Sequence, residues 1–188
     1  MHPAPQRTRR ARAGFTLVEL VIASVVLVIG CLGLSAAITS SSQLAQLNGQ
    51  RMQAHQAARA KLEELESASF TQVFALYDRE PADDPLGAGT APGAAFAVAG
   101  LNAAVDDADG LVGEVIFPTV GDLGLQLCET STDTRLGMPR DLDASGAINP
   151  GALSGAPVIL PVRVRVRWHG PCGNATLDLE TVLLDRSN

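Results

Sequence analysis

The sequence predicts an α+β chain. One long N-terminal helix, apolar in its first half and amphipathic in its second, packs on a C-terminal antiparallel sheet. Three observations predict this. Residues 15–38 form an apolar run with a single charge, Glu19. Residues 43–70 lack proline and repeat apolar side chains at three- and four-residue spacing. Residues 158–168 and 175–184 alternate with a period of two, and a Gly170-Pro171 turn lies between them.

The apolar run is long enough to matter in a membrane. As a helix it extends about 36 Å, sufficient to cross a bilayer. The leader before it, residues 1–13, carries Arg7, Arg9, Arg10 and Arg12 and no acid. Positive charge on that side predicts a cytoplasmic N-terminus, with everything after Ile38 outside the cytoplasm. A carboxylate inside such a segment costs about 2.5–3.5 kcal/mol on insertion scales, which marks Glu19 as functional. The formal net charge is -6, and removal of the four leader arginines takes it to -10. An acidic body argues against nucleic acid as the main partner.

Other readings of the run compete. A plain single-pass anchor explains length and flanking charge, but not a glutamate so near the cytoplasmic end. A secretory signal has an uncharged apolar core of about 7–15 residues, shorter than this one. Val28-Ile29-Gly30-Cys31 loosely matches a lipidation signal that would acylate Cys31, yet Glu19 falls inside that core. Arg9-Arg10 hints at a twin-arginine signal without the rest of its motif.

Residues 39–78 read as an amphipathic continuation of the helix, rich in strong helix formers. Leu44, Leu47, Arg51, His55, Ala58, Leu62 and Leu65 fall on one stripe that faces the sheet. Arg51 and His55 are expected to snorkel at its edge, and Lys61, Glu64 and Glu66 to face water. Gly30, Gly33 and Gly49 are weak points in the helix interior. Residues 79–110 form a connector, interrupted by Pro81, Pro85, Gly87, Gly89, Pro92 and Gly93 and closed by an acidic turn.

Residues 111–188 read as a β-rich head. Residues 111–117 and the alternating residues 123–129 are strand candidates. The last two segments make a hairpin. With Trp168 opposite Leu177, Arg167 faces Asp178 and Arg165 faces Glu180, and Arg163, Arg165 and Arg167 form a solvated ladder.

No catalytic constellation is visible. His2, His55 and His169 are scattered, and no nucleophile elbow, phosphate loop or zinc spacing occurs. The chain reads as a non-enzyme without a required cofactor. Cys31 reads as a small buried apolar residue. Cys128 and Cys172 are a candidate disulfide closing a loop of about 45 residues, worth roughly 2–4 kcal/mol, or else two buried thiols. Asp141, Asp143 and Ser145, followed by Gly146, match the first half of a calcium loop. The second half fails, because Ala152 stands where the bidentate glutamate belongs. Calcium is therefore the one metal to consider, against an acidic turn.

Gly14-Phe15-Thr16-Leu17-Val18-Glu19, after a basic leader, closely resembles the class III signal of type IV prepilins. The resemblance covers about the first 40 residues. It implies that prepilin peptidase removes residues 1–14, cutting between Gly14 and Phe15, and that Phe15 is then N-methylated. It implies that Glu19 guides the subunit into a filament, that the fold is pilin-like, and that a disulfide near the C-terminus is common. Residues 57–65, Ala-Ala-Arg-Ala-Lys-Leu-Glu-Glu-Leu, resemble V-type minor pilins and I-type pseudopilins of type II secretion. The expected function is a minor pilin or pseudopilin of the inner membrane, later of a pilus or pseudopilus. Its partners would be prepilin peptidase and other pilin or pseudopilin subunits. The alternative is a membrane-anchored or lipidated extracytoplasmic binding module.

Overall fold

The computed structural model describes Gly14, residues 16–119 and residues 126–185. The leader, Phe15 and residues 123–125 of the expected strand at 123–129 lie outside the described residues. The elements are α1 (Leu17–Ser67), α2 (Phe70–Tyr77), β1 (Ala95–Phe96), β2 (Gly113–Ile116), a 3-10 turn (Thr134–Leu136), β3 (Ile159–Gly170) and β4 (Gly173–Leu184). This is the α+β, pilin-like arrangement that the sequence predicts.

The chain divides into two compact units, one ending at Leu44 and one starting at Ala45. In the first, every described side chain is exposed, including Leu20, Val25, Leu27 and Leu32. α1 is long and apolar enough to cross a membrane. Such a surface is at home in lipid or against other apolar helices, because in water it would leave a large apolar area uncovered.

The second unit is a helix-on-sheet head. Its sheet runs β1-β2-β3-β4, antiparallel throughout. β3 is central and twelve residues long. Its period-two pattern puts Leu160, Val162, Val164, Val166 and Trp168 on one face, all buried. They share a core with Ala54, Ala58 and Leu65 of α1 and Val73 and Tyr77 of α2. Phe74 of α2 meets Phe117 edge to face at 5.3 Å.

Several expectations are corrected. The amphipathic helix does not run through to 78. It ends at Ser67, whose hydroxyl donates to the Glu64 carbonyl, and Ser69 is extended. The break lets α2 aim Val73 and Tyr77 back into the core. The buried face of α1 also differs. Ala54 occupies it, with Leu47, Gln50 and Lys61 half-buried, while Leu44, Arg51 and His55 are exposed. Alanine rather than a long cation allows close approach of helix to sheet, and Trp168 Nε1 donates to Gln50 Oε1 at 3.3 Å. Lys61 does not face water. Its ammonium lies over the rings of Tyr77 and Phe96, 5.3 and 5.0 Å from their centres, and pairs with Glu64 at 2.8 Å. Tyr77 donates to the same Glu64 at 2.8 Å.

The hairpin register is shifted by two. Trp168 pairs with Ala175, Arg165 with Asp178 and Arg163 with Glu180. The reason is a tight connection: Gly170 pairs with Gly173 and only Pro171 and Cys172 intervene. Gly173 holds φ at 106°, a value that glycine tolerates. Nor is the arginine ladder a solvated face. Arg163 is buried.

Candidate functional site

The N-terminal site is built by the first turn of α1. Thr16 precedes the helix, and its Oγ1 accepts from the Glu19 N–H at 3.2 Å. Its carbonyl accepts from the Leu20 N–H at 3.2 Å. Thr16-Leu17-Val18-Glu19 is therefore a threonine N-cap with an acid three residues on, a capping-box spacing. That signal was available in the sequence, and it makes Thr16 the cap of the helix. Glu19 lies in the helix's first turn, where the dipole favours a negative charge. Its side chain is exposed, and no described residue pairs with its carboxylate. A Cβ placed on Gly14 would meet nothing within 4 Å.

The head loop at residues 141–149 is organised by carboxylates. Asp141 Oδ1 and Asp143 Oδ1 both accept from the Ser145 N–H, at 3.1 and 3.0 Å, and Asp141 Oδ2 accepts from the Gly146 N–H at 2.7 Å. The Ser145 hydroxyl donates to the Ala147 carbonyl at 3.2 Å. Sequence reasoning missed Glu129. It is 1% exposed, and its carboxylate accepts from the Leu142 N–H at 2.8 Å and the Asn149 N–H at 2.7 Å. One oxygen each of Glu129, Asp141 and Asp143 lie within 4.8 Å of one another. Three carboxylates at that spacing have the hard-oxygen chemistry of a calcium site, which takes six to eight oxygens. Nothing local in the sequence points to Glu129, because 13 residues separate it from Leu142.

The other face of β3 carries the arginines, each matched by acids from other segments. Arg163 meets Asp133 at 2.7 Å, Arg165 meets Asp178 at 2.9 Å, and Arg167 meets Asp106 and Asp107 at 3.5 and 3.4 Å. Arg135 also pairs with Asp178. Burial works to raise the Asp178 carboxyl, but the Arg165 hydrogen bonds and the charges of Arg165, Arg163 and Arg135 hold it below its usual range. An anion would find these guanidiniums already occupied.

The Cys128–Cys172 pair is not formed. Both are free, Cys128 buried and Cys172 exposed. Cys128 bonds to Pro118, just beyond β2, whose Ile116 is opposite Arg163. Cys172 sits in the turn past Gly170. Seven residues of strand separate those levels, about 23 Å at 3.3 Å per residue. A disulfide requires α-carbons within about 7 Å. The Cys128 thiol lies instead 3.1 Å from Thr130 Oγ1.

Residues 9–35 match the family described as the prokaryotic N-terminal methylation motif. This is the type IV prepilin signature, and it spans Gly14, Phe15 and Glu19. The chain thus reads as a precursor of the type IV pilin or pseudopilin kind, a structural rather than an enzymatic class. Comparison with curated proteins and with solved structures finds no match.

Proposed function

We propose that this chain is a minor pilin or pseudopilin that enters a type IV pilus or a type II secretion pseudopilus. Prepilin peptidase cuts after Gly14, and the new N-terminal Phe15 is methylated. Residues 15–38 wait in the inner membrane, with the N-terminus cytoplasmic and the head outside. On assembly the Glu19 carboxylate meets the α-amino group of a neighbouring subunit.

The observation that carries this reading is a carboxylate with no partner among the described residues, on the exposed apolar first part of α1 and within the methylation motif. A charge left alone in an apolar filament core is costly, whereas a paired one is tolerable. Glu19 therefore makes one register favourable and the others not. The test is co-purification of the chain with the other filament subunits. Glu19→Ala should leave membrane insertion intact and reduce co-purification at least tenfold; undiminished co-purification would overturn the reading. Gly14→Glu should block processing, read as an uncut N-terminus by intact mass.

We further propose that the head loop takes calcium through Glu129, Asp141 and Asp143. The arrival of Glu129 supports it, since it supplies the acid missing at Ala152. Calcium added to the metal-free full chain in detergent should raise its unfolding midpoint, and Asp141→Asn should remove that response. An unchanged midpoint in the wild type overturns the calcium reading.

A further inference from the structure

The C-terminal end of α2 opens on a cavity of about 600 Å³. Six carboxylates line it, those of Asp78, Glu80, Asp84, Asp107, Asp109 and Glu114, against one cation, Arg79. Most of the acids have partners. Arg79 pairs with Glu114, and Asp107 with Arg167 of β3. Asp84 accepts from the N–H groups of Thr90 and Ala91, Asp109 from that of Leu111, and Glu80 from that of Ala82.

Asp78 is different. It closes α2, its N–H bonded to the Phe74 carbonyl at 2.9 Å, and it is 8% exposed. Its Oδ1 accepts from the Glu80 N–H at 3.0 Å. Its Oδ2 is buried with no partner among the described residues. Burial first, and then the charges of Asp83, Glu80 and Asp84, push its carboxyl up from 3.8 to about 6. At neutral pH it is still ionised, with no ion-pair partner among the described residues. A buried charge without a partner is the exception in folded proteins and calls for one.

The chemistry of the missing partner follows from the walls. A bare divalent ion needs converging carboxylates, and the one group within 4.8 Å among the described residues is Glu129, Asp141 and Asp143, none of them in this cavity. Pro81, Pro92 and Leu111 give the cavity apolar surface beside its acids. A cation on a methylene stem matches both, because the stem lies on apolar wall while the head reaches a carboxylate. We propose that this cavity receives a lysine or arginine side chain from a neighbouring filament subunit, with Asp78 as its counter-charge. The proposal rests on the filament reading above for the source of that side chain.

The test uses the full chain in detergent micelles with 13C-labelled aspartate. The probes are a blocked Ala-Ala-Lys-Ala-Ala peptide, the same peptide with norleucine for lysine, and calcium chloride. The lysine peptide should shift the Asp78 carboxyl resonance saturably, and norleucine should not. Asp78→Asn, which keeps an Oδ1 for the Glu80 N–H, should weaken lysine-peptide binding at least tenfold. No shift in the wild type, an equal shift with norleucine, or a calcium shift without a lysine response would each overturn the pocket. The wild-type reading needs no variant, so a misfolded Asp78→Asn does not blunt it. In cells, Asp78→Asn should lower co-purification with the other subunits several-fold, and an unchanged yield overturns a neighbouring subunit as the source. Failed peptide binding with Glu19-dependent assembly sinks the pocket alone. Glu19-independent assembly sinks the filament reading while the peptide result stands.

Discussion

Arg163 and Asp133 form a two-pronged ion pair in the head. Arg163 Nη1 donates to Asp133 Oδ1 at 3.1 Å and Nη2 lies 2.7 Å from Oδ2, with the arginine side chain 7% exposed. Arg163 Nε has no partner among the described residues. The pair ties β3 to the segment before the 3-10 turn, and Asp133 also caps that turn through the Arg135 N–H.

Asp133→Ala should therefore destabilise the head by about 3–5 kcal/mol, since it strands a buried guanidinium. Combining Asp133→Leu with Arg163→Met should recover most of the loss. Urea unfolding of the full chain in detergent reads both. A double variant as unstable as the single one would mean that the pair contributes more than charge compensation.

Glu129→Gln should loosen the 141–149 loop. Glutamine offers one acceptor where the carboxylate offers two, and its amide group confronts an N–H donor. The expected cost is about 1–3 kcal/mol. Hydrogen exchange at the Leu142 and Asn149 amides checks it, and both should exchange faster.

Asp78 gives the head a pH dependence of defined sign. Its folded carboxyl keeps a proton up to about pH 6, whereas the unfolded one releases it near 3.8. Between those values the native state binds more protons, so this contribution to stability is present at low pH and is lost as pH rises towards 6. The magnitude is up to about 3 kcal/mol. Asp178, whose carboxyl is held low, acts in the opposite direction at more acid pH. The measurement is thus a difference: wild type minus Asp78→Asn, unfolded by urea at pH 4 and pH 7. A flat difference contradicts the prediction.

Gly113→Ala should disturb the β1–β2 edge. A Cβ there would collide with the Phe96 ring. Overpacking of this kind costs about 1–3 kcal/mol. Adding Phe96→Leu, which removes the ring, should return part of the stability measured by thermal unfolding.

Local pattern was enough for the long N-terminal helix, the β3–β4 hairpin and the N-terminal motif. A 24-residue apolar run with one acid, and a period-two hairpin with a Gly-Pro turn, identify themselves because each depends on neighbours in sequence. The capping of Thr16 over Glu19 is equally local and was there to be read. Tertiary structure decided what depends on distant residues. A two-residue register shift leaves every side chain on its own face, so alternation alone did not distinguish Trp168 opposite Ala175 from Trp168 opposite Leu177. The rotation of α1 that buries Ala54, a residue off the expected stripe, was set by close packing on β3. Burial of Arg163 required Asp133, which lies 30 residues away, and the carboxylate group at 141–143 required Glu129. The unpartnered oxygen of Asp78 exists only because α2 ends inside a folded head. Each of these is a balance between desolvation and a partner brought from elsewhere in the chain, and such partners carry no periodic signal.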